Sequence, residues 1–192
     1  MELSRKSRNI VLIGMPGAGK STIGVLLAKT LGMSFIDTDL IIQEREGRLL
    51  QDIISLYGIS RFLDIEENAI LSLNCKATVV ATGGSVVYSV KAMRYLRHNA
   101  TVIYLKVEYD EIERRITNIS TRGIAMNKGQ NLIDIYNERI PLYERYADIV
   151  IDCSGKDVED IIQEIAGIIH TSYPNMGSSG TTQRRFGFNE KS

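Results

Sequence analysis

The chain has 192 residues, and 23 Lys and Arg are balanced by 23 Asp and Glu, so the formal net charge is zero. This length suits a single domain with one continuous core. The charge balance provides no long-range field, so neither nucleic acid nor a membrane is expected as a partner. The basic first eight residues precede an apolar stretch too short for a signal peptide, which predicts a cytoplasmic location.

Strands and helices are predicted to alternate along the chain. Apolar runs predict strands at residues 10–13, 34–37, 78–81, 101–107 and 148–152. Helical patterns occupy residues 22–31, 40–51 and onward, 60–73, 90–98, 110–119, 132–146 and 157–169. Most of the strands are continuously apolar, which is typical of parallel strands covered on both faces. The pattern therefore predicts a three-layer α/β domain.

Two segments differ from this alternation. Residues 118–131 contain two glycines and few packing residues, so we predict a long mobile loop there. Long loops in compact domains are usually functional. Residues 172–192 are rich in Gly, Ser, Thr and Asn, which predicts a flexible polar tail after a single domain over residues 1–171.

A phosphate-binding motif follows the first predicted strand. Residues 14–22 read Gly-Met-Pro-Gly-Ala-Gly-Lys-Ser-Thr and fit the pattern G-x-x-x-x-G-K-[ST]. Backbone N–H groups of such a loop surround nucleotide phosphates, Lys20 would reach the β- and γ-phosphates, and the Ser21 hydroxyl would bind Mg²⁺. The helix that starts here favours an anion at its N-terminus. The motif predicts nucleoside triphosphate binding by Gly17, Ala18, Gly19, Lys20, Ser21 and Thr22.

Two carboxylates follow the second predicted strand, in the run Phe-Ile-Asp-Thr-Asp at residues 35–39. Their spacing of two places Asp37 and Asp39 on one side, above the crevice where open α/β sheets bind ligands. In phosphoryl transfer one such carboxylate can support Mg²⁺ and the other can hold or deprotonate an accepting hydroxyl. Alternatively, Thr38 or Asp39 caps a helix that begins at Leu40. After a phosphate loop we favour the functional interpretation.

With these motifs the chain resembles the shikimate kinase family from about residue 9 to residue 169. Residues 17–22 match the family's phosphate loop, and residues 35–39 match its substrate strand. Residues 79–85 (Val-Val-Ala-Thr-Gly-Gly-Ser) resemble its glycine-rich turn, and residues 139–148 resemble its late Arg-x-x-x-Tyr-x-x-x-Ala-Asp helix. The resemblance implies a five-stranded parallel sheet in the order 2-3-1-4-5. It also implies Mg²⁺-dependent transfer of phosphate from ATP to a hydroxyl of a small polyhydroxylated acid, shikimate or a relative.

The resemblance also implies roles for residues on the substrate side. Asp39 and the backbone of Gly84 would hold the substrate hydroxyls, with Asp39 nearest the accepting oxygen. Gly83 would belong to the same substrate site. Arg139 would bind the substrate carboxylate.

On the nucleotide side, the resemblance implies that Ser21 coordinates Mg²⁺ with help from Asp37. Arg115 would lie against the adenine. Arg122, from a mobile lid over residues 118–131, would close over the phosphates and act in catalysis with Lys20 and Asp39. A positioned Arg stabilises the charge that spreads over the transferring phosphoryl group.

The chain departs from the family at the position of a second carboxylate-binding arginine. The family has Phe-Arg-x-x-Glu where residues 62–66 read Phe-Leu-Asp-Ile-Glu. Leu63 cannot make the charge-assisted hydrogen bonds, and their loss lowers affinity for a carboxylate roughly ten- to 150-fold. Arg61 should face elsewhere, because it lies roughly 200° away around a helix. Ser85 and Gly123 replace a family glycine and a family proline.

Two alternatives to shikimate phosphorylation remain open from the sequence. A paralogue of the family could act on another small hydroxy acid or polyol, because the departures fall on the anionic end of the substrate. A non-catalytic ATP-binding module could use nucleotide occupancy to order the lid. In each case we expect a monomer or a weak homodimer. If the protein is an enzyme, we expect its partner to be a small-molecule substrate.

Overall fold

The computed structural model describes residues 9–116, 124–126 and 129–172 of the chain. Strands and helices alternate, as the apolar pattern predicts. In chain order the elements are β1 (Asn9–Ile13), α1 (Lys20–Leu31), β2 (Ser34–Asp37), α2 (Thr38–Glu46), α3 (Leu50–Leu71), β3 (Thr78–Ala81), α4 (Val90–Asn99), β4 (Ala100–Lys106), α5 (Tyr109–Arg115), α6 (Leu132–Tyr146), β5 (Ile149–Asp152) and α7 (Val158–Ser172). A short 3₁₀ turn, Val86–Tyr88, lies between β3 and α4.

The five strands form one parallel sheet in the order β2-β3-β1-β4-β5, which confirms the predicted fold class and strand order. The central strand, β1, is buried along its whole length. Leu12 of β1 pairs with Ala81 of β3 on one side and with Ile103 of β4 on the other. Because parallel strands end at the same edge of a sheet, the segments that follow β1, β2 and β3 meet at that edge.

The prediction of one continuous helix from residue 40 through 51 and onward is wrong, because Gly47 interrupts the helix. Gly47 has φ 62°, a left-handed conformation that ends α2 at Glu46 and favours glycine. A new helix, α3, begins at Leu50 and bends at Gly58, where φ is 77° and ψ is 169°. The bend divides α3, and the predicted helix over residues 60–73 corresponds to the part that follows.

Helix α6 starts at a reciprocal cap. The Asn131 side chain accepts a hydrogen bond from the N–H of Asp134, and the Asp134 carboxylate accepts one from the N–H of Asn131, both at 3.0 Å. Arg139 and Tyr143 lie four residues apart along the helix, and both are buried. One face of α6 is therefore turned into the protein.

The predicted lid is only partly described. Residues 118–123 and 127–128 lie outside the described residues, as do residues 173–192 of the predicted tail. Ile124 and Ala125 are each 7% exposed, so this part of the segment packs against the protein, contrary to the expectation of few packing residues. Ala125 joins a small apolar cluster with Ile42, Ile53 and Phe62, from α2 and α3.

Two helix ends also differ from the predicted bounds. Helix α5 ends at Arg115 and not at residue 119, because Ile116 has the non-helical angles φ −99° and ψ 69°. Helix α7 continues to Ser172, three residues beyond its predicted end. Within the described ranges, no helix has both the length and the hydropathy that crossing a membrane requires.

Candidate active site

A cavity of about 660 Å³ opens at the edge of the sheet where β1, β2 and β3 end. Predicted site residues line it from both sides: Gly17, Gly19, Lys20, Ser21, Thr22, Asp39, Gly83, Gly84, Arg115 and Arg139. Asp37 lines a neighbouring cavity of about 420 Å³, together with Ser21 and Asp39. Ala18 is fully buried, and Arg122 lies outside the described residues. The tertiary structure thus brings most of the predicted site together.

The loop between β1 and α1 follows a path that only glycine permits at two positions. Gly17 and Gly19 have φ 83° and 88°, and a Cβ on Gly17 would meet Ile116 Cγ1 at 3.0 Å. Helix α1 begins directly after them, at Lys20. The loop therefore presents its backbone N–H groups at a helix N-terminus, which is a favourable place for phosphate.

Lys20 follows the loop directly as the first residue of α1, and it is only 8% exposed. Its Nζ donates hydrogen bonds to the carbonyl oxygens of Gly14 and Met15, both at 2.8 Å. Burial lowers the Lys20 pKa to about 8, and the nearby Asp39 carboxylate opposes that shift. A buried ammonium group at the mouth of a phosphate loop is poised to meet the charge of a nucleotide.

Asp37 is the N-cap of α2, so the alternative expectation that Thr38 or Asp39 caps a helix from Leu40 is wrong in its details. Helix α2 begins at Thr38, and Asp37 Oδ1 accepts a hydrogen bond from the N–H of Asp39 at 3.0 Å. The Ser21 hydroxyl and the Asp37 carboxylate line the same cavity. These hard oxygen donors fit Mg²⁺, which takes few protein ligands and completes its shell with water and phosphate oxygens.

Asp39 carries a buried carboxylate oxygen, Oδ1, that has no hydrogen-bond partner in the described part of the chain. Burial is the main reason that the Asp39 pKa is raised to about 6. The neighbouring Asp37 charge raises this pKa further, and Lys20 lowers it. A buried acceptor without a partner is costly unless a ligand supplies a donor, so Oδ1 suits a substrate hydroxyl.

Glu66 of α3 is a second buried carboxyl group in the cavity, to which the sequence interpretation assigned no role. Its Oε2 accepts a hydrogen bond from the Ser85 hydroxyl at 2.7 Å, and its Oε1 has no partner within the residues described. A Cβ on Gly83 would lie 2.1 Å from Glu66 Oε1 and 2.9 Å from Asp39 Oδ1. The two unpartnered oxygens therefore both lie close to the backbone of Gly83. A side chain larger than that of glycine would not fit there. A sequence signal existed, because Glu66 lies four residues after the core residue Phe62 on one helix face.

Arg139 is the largest fully buried side chain in the described residues, at 1% exposed. Its Nε donates to the Tyr88 hydroxyl at 3.1 Å and its Nη2 to the Ala125 carbonyl at 2.8 Å. The guanidinium carbon also lies 5.1 Å from the centroid of the Tyr88 ring. Nη1 is 3.1 Å from the Cβ position of Gly84, at the cavity wall. The guanidinium is thus oriented by neutral groups and keeps its charge for an anion.

The position of the missing family arginine is apolar. Leu63 is half-buried against the small apolar cluster and lines a cavity of about 120 Å³ beside Ser85 and Tyr88. Arg61 is exposed, as its helical position predicts, and Asp64 is exposed too. Among the described residues, the cations that line the large cavity are Lys20, Arg115 and Arg139.

Arg115 lies against the phosphate loop. Its Nη1 donates to the Gly17 carbonyl at 3.3 Å, and its guanidinium forms an ion pair with Glu111 one turn earlier in α5. A Cβ on Gly17 would lie 3.7 Å from the Cβ of Arg115. The Arg115 side chain therefore lies beside the loop that the sequence predicts to bind the nucleotide phosphates.

The parallel sheet, the glycine-rich loop after its central strand and the carboxylates beyond β2 define a P-loop kinase of the α/β class. The sequence profile described as "Shikimate kinase" matches residues 16–170 of the chain. The chain belongs to the shikimate kinase family.

Similar proteins agree with this assignment over most of the chain. A shikimate kinase of Thermodesulfovibrio yellowstonii is 37% identical over 161 residues, covering 82% of this chain and 92% of the relative. A shikimate kinase of Paracidovorax citrulli is 40% identical over 164 residues, covering 82% and 90%. A solved structure of "Shikimate kinase from Acinetobacter baumannii in complex with shikimate" has a TM-score of 0.81 at 29% identity, covering 88% of this chain and 96% of that one.

Proposed function

We propose that the chain transfers the γ-phosphoryl group of ATP to a hydroxyl of shikimate, forming shikimate 3-phosphate. The observation that carries the proposal is Asp39 Oδ1, a buried acceptor without a partner among the described residues, at the wall of the cavity that the phosphate loop also lines. The family supports a kinase, and the Acinetobacter baumannii relative was solved with shikimate bound.

On the donor side, backbone N–H groups of residue 17 and residues 19–22 bind the phosphates, and Lys20 neutralises charge on the β- and γ-oxygens. The N–H of Ala18 instead donates to the Met15 carbonyl at 3.1 Å and shapes the loop. Ser21 and Asp37 would hold Mg²⁺, which supplies charge neutralisation at the phosphates when it is bound. Arg115 contacts the nucleotide from α5. Arg122 closes the site from the lid and excludes water, which would otherwise compete as the acceptor.

On the acceptor side, Asp39 accepts a hydrogen bond from the attacking hydroxyl and orients it toward the γ-phosphoryl group. Positioning of this kind converts a bimolecular step into an effectively unimolecular one, and general base assistance contributes about 10²–10⁴-fold in rate. The backbone of Gly83 lies beside Asp39 Oδ1, and the turn that Gly83 forms with Gly84 lines the same cavity. Arg139, oriented by Tyr88, binds the substrate carboxylate through Nη1.

Leu63 favours a second candidate substrate, another small polyhydroxylated acid. The end of the site that would bind the substrate carboxylate has one guanidinium group, where the family has two. A single guanidinium group recognises a carboxylate more weakly than two do. The exposed Arg61 does not supply the second group. The reaction type is the same for both candidates, because the phosphate loop and Asp39 are intact.

The test is release of ADP by the purified chain with ATP and Mg²⁺, in the presence and absence of shikimate. We expect shikimate-dependent ADP release, and a loss of about 10²-fold or more in kcat for Asp39→Asn, which keeps the size of the side chain but weakens the acceptor. Leu63→Arg should lower KM for shikimate about tenfold or more, with little effect on KM for ATP. Absence of shikimate-dependent turnover in both the native chain and Leu63→Arg would exclude shikimate, and a screen of small hydroxy acids would follow.

The cytoplasmic location and the monomeric or weakly dimeric state belong to the same proposal. Sedimentation of the purified chain over a range of concentrations tests the second of these. A stable dimer at the lowest concentration would contradict it.

A further inference from the structure

Glu66 has no task in the reaction proposed above, although it lines the same cavity as Asp39 and Arg139. We propose that Glu66 binds the acidic substrate as a neutral carboxylic acid, with Oε1 donating a hydrogen bond to the substrate. Glu66 then supplies one of the donors that Leu63 cannot supply. This inference rests on the proposed function, because it requires an acidic substrate in the cavity.

The hydrogen bond from Ser85 determines which oxygen of Glu66 can carry the proton. The Ser85 hydroxyl donates to Oε2 at 2.7 Å, so Oε2 acts as an acceptor. Oε1 is buried and accepts no hydrogen bond in the described ranges, so a proton on Oε1 is available for donation. Asp39 Oδ1 and Glu66 Oε1 both lie close to the Gly83 backbone. The cavity beside Gly83 is the direction open to Oε1.

The charges around Glu66 make its protonation sensitive to one more anion. Asp39 faces it from α2, Lys20 from α1, and Arg139 and Tyr143 from α6. Burial raises the Glu66 pKa to about 7, the Ser85 hydrogen bond lowers it, Asp39 raises it, and Arg139 and Lys20 lower it. The free protein is thus a mixture of both forms near neutral pH.

Binding of a substrate carboxylate changes this balance in one direction. A further negative charge disfavours the ionised form, so the Glu66 pKa rises when the substrate binds. The protein therefore takes up a proton on binding, and by linkage the affinity for the acid falls as the pH rises above the pKa of the free protein. Below that pKa Glu66 is neutral in both states, and the affinity is at its highest.

Calorimetric titration with shikimate, without nucleotide, tests this in buffers of different ionisation enthalpy from about pH 6 to about pH 8.5. For the native chain we expect Kd to rise roughly tenfold across this range, with up to about one proton taken up near pH 8. Glu66→Gln mimics the neutral acid, because its amide nitrogen can donate from the Oε1 position while its oxygen accepts from Ser85. This variant should lose the part of the pH dependence that Glu66 causes, so it should bind more tightly than the native chain at the high pH. Any rise in Kd that remains in the variant reports Lys20, whose pKa of about 8 lies in the same range.

Two further variants distinguish the effect of the hydrogen-bond donor on Kd from the effect of removing the charge. Glu66→Met has a similar size without a donor, so it should bind weakly at every pH. Ser85→Ala removes a hydrogen bond that favours the ionised form, so the rise in Kd should move to higher pH. Because Ser85→Ala leaves Glu66 in place, it tests the inference even where substitution of Glu66 disturbs folding.

Three outcomes would overturn the inference. Glu66→Gln binding more weakly than the native chain at every pH would make Glu66 an anionic acceptor. A native Kd independent of pH, without proton uptake but with normal turnover of shikimate, would overturn the inference and leave the proposed function standing. Absence of both shikimate binding and shikimate turnover at every pH would overturn the two together.

Discussion

Among the described residues, hydrogen bonds and one ring contact orient Arg139, and no carboxylate forms an ion pair with it. Tyr88 contributes twice, through its hydroxyl at 3.1 Å from Nε and through its ring face. An ion pair would consume the charge that the substrate needs, whereas a phenol and a carbonyl orient the guanidinium without neutralising it. We therefore expect Tyr88 to act as a positioning residue for the carboxylate end of the substrate.

Tyr88→Phe keeps the ring and removes the hydrogen bond to Nε. A hydrogen bond to a charged group contributes about 1.5–3 kcal/mol, so we expect KM for shikimate to rise about tenfold. Steady-state kinetics should show kcat and KM for ATP within about twofold of the native values. Tyr95→Phe is the matched control, because its hydroxyl donates to the Leu73 carbonyl, away from the cavity. Equal changes in KM for both substrates would reduce Tyr88 to a structural role.

The raised Glu66 pKa also has a consequence for folding. The ordinary pKa of a Glu carboxyl group is 4.5. Below that pH the group is neutral in the folded and in the unfolded state, so its ionisation does not affect the free energy of unfolding. Between pH 4.5 and about pH 7 the unfolded chain ionises this carboxyl group while the folded state keeps it neutral, so a penalty of about 3 kcal/mol builds up and is complete above about pH 7. The native chain should therefore lose stability relative to Glu66→Gln as the pH rises from 4.5 to about 7. Urea unfolding of both chains measures the difference, and a constant difference would contradict it.

Among the secondary structure elements, α1 couples the phosphate loop to the rest of the fold. It begins at Lys20, packs against α7, and contacts β2 and β3. At Gly24 the helix comes so close to β2 that a Cβ would lie 2.6 Å from Phe35 Cε2. The position of the loop thus depends on a helix–sheet contact that glycine permits.

Two helical glycines give a matched test of that contact. Gly24→Ala should destabilise the chain by about 1–3 kcal/mol, because the methyl group overpacks against Phe35. Gly167→Ala in α7 should stabilise it by about 0.5–1 kcal/mol, because its Cβ meets no atom within 4 Å among the described residues. Equilibrium urea unfolding compares the two. Equal stabilisation by both substitutions would show that α1 can move away from the sheet at little cost.

At the level of the whole molecule, the active site is assembled by every layer of the fold. The large cavity receives residues from the loop after β1, from α2 and α3, from the turn after β3, and from α5 and α6. A ligand that binds only this assembled state stabilises the whole domain by mass action.

ATP with Mg²⁺ at about 100 times its Kd should add about 2.7 kcal/mol to the folded state. For a domain of this size that corresponds to a rise in Tm of roughly 5–11 °C, which a thermal shift measurement detects. Chelation of Mg²⁺ should remove most of the rise. Asp37→Asn should abolish the Mg²⁺-dependent part, while Asn keeps the helix cap. Retention of the full rise by Asp37→Asn would exclude Asp37 as a metal ligand.

The parts of the protein that the sequence predicts correctly depend on short-range physics. The phosphate loop follows from glycine spacing and the flanking strand and helix, since its backbone path is local. The five strands follow from continuous apolar runs. The prediction of a continuous helix over residues 40–51 failed, because the left-handed conformation of Gly47 ends the helix despite the helical apolar pattern.

Contacts between distant segments depend on the tertiary structure and not on local sequence. Ser85 lies 19 residues from Glu66, and Tyr88 lies 51 residues from Arg139. No local pattern predicts that these pairs meet, because burial and hydrogen bonding between distant elements depend on how the helices pack over the sheet. The family, the phosphate-loop motif and the departure at Leu63 all follow from local sequence motifs. The packing of helices over the sheet decided which buried groups line the large cavity and which of their polar atoms have no hydrogen-bond partner among the described residues.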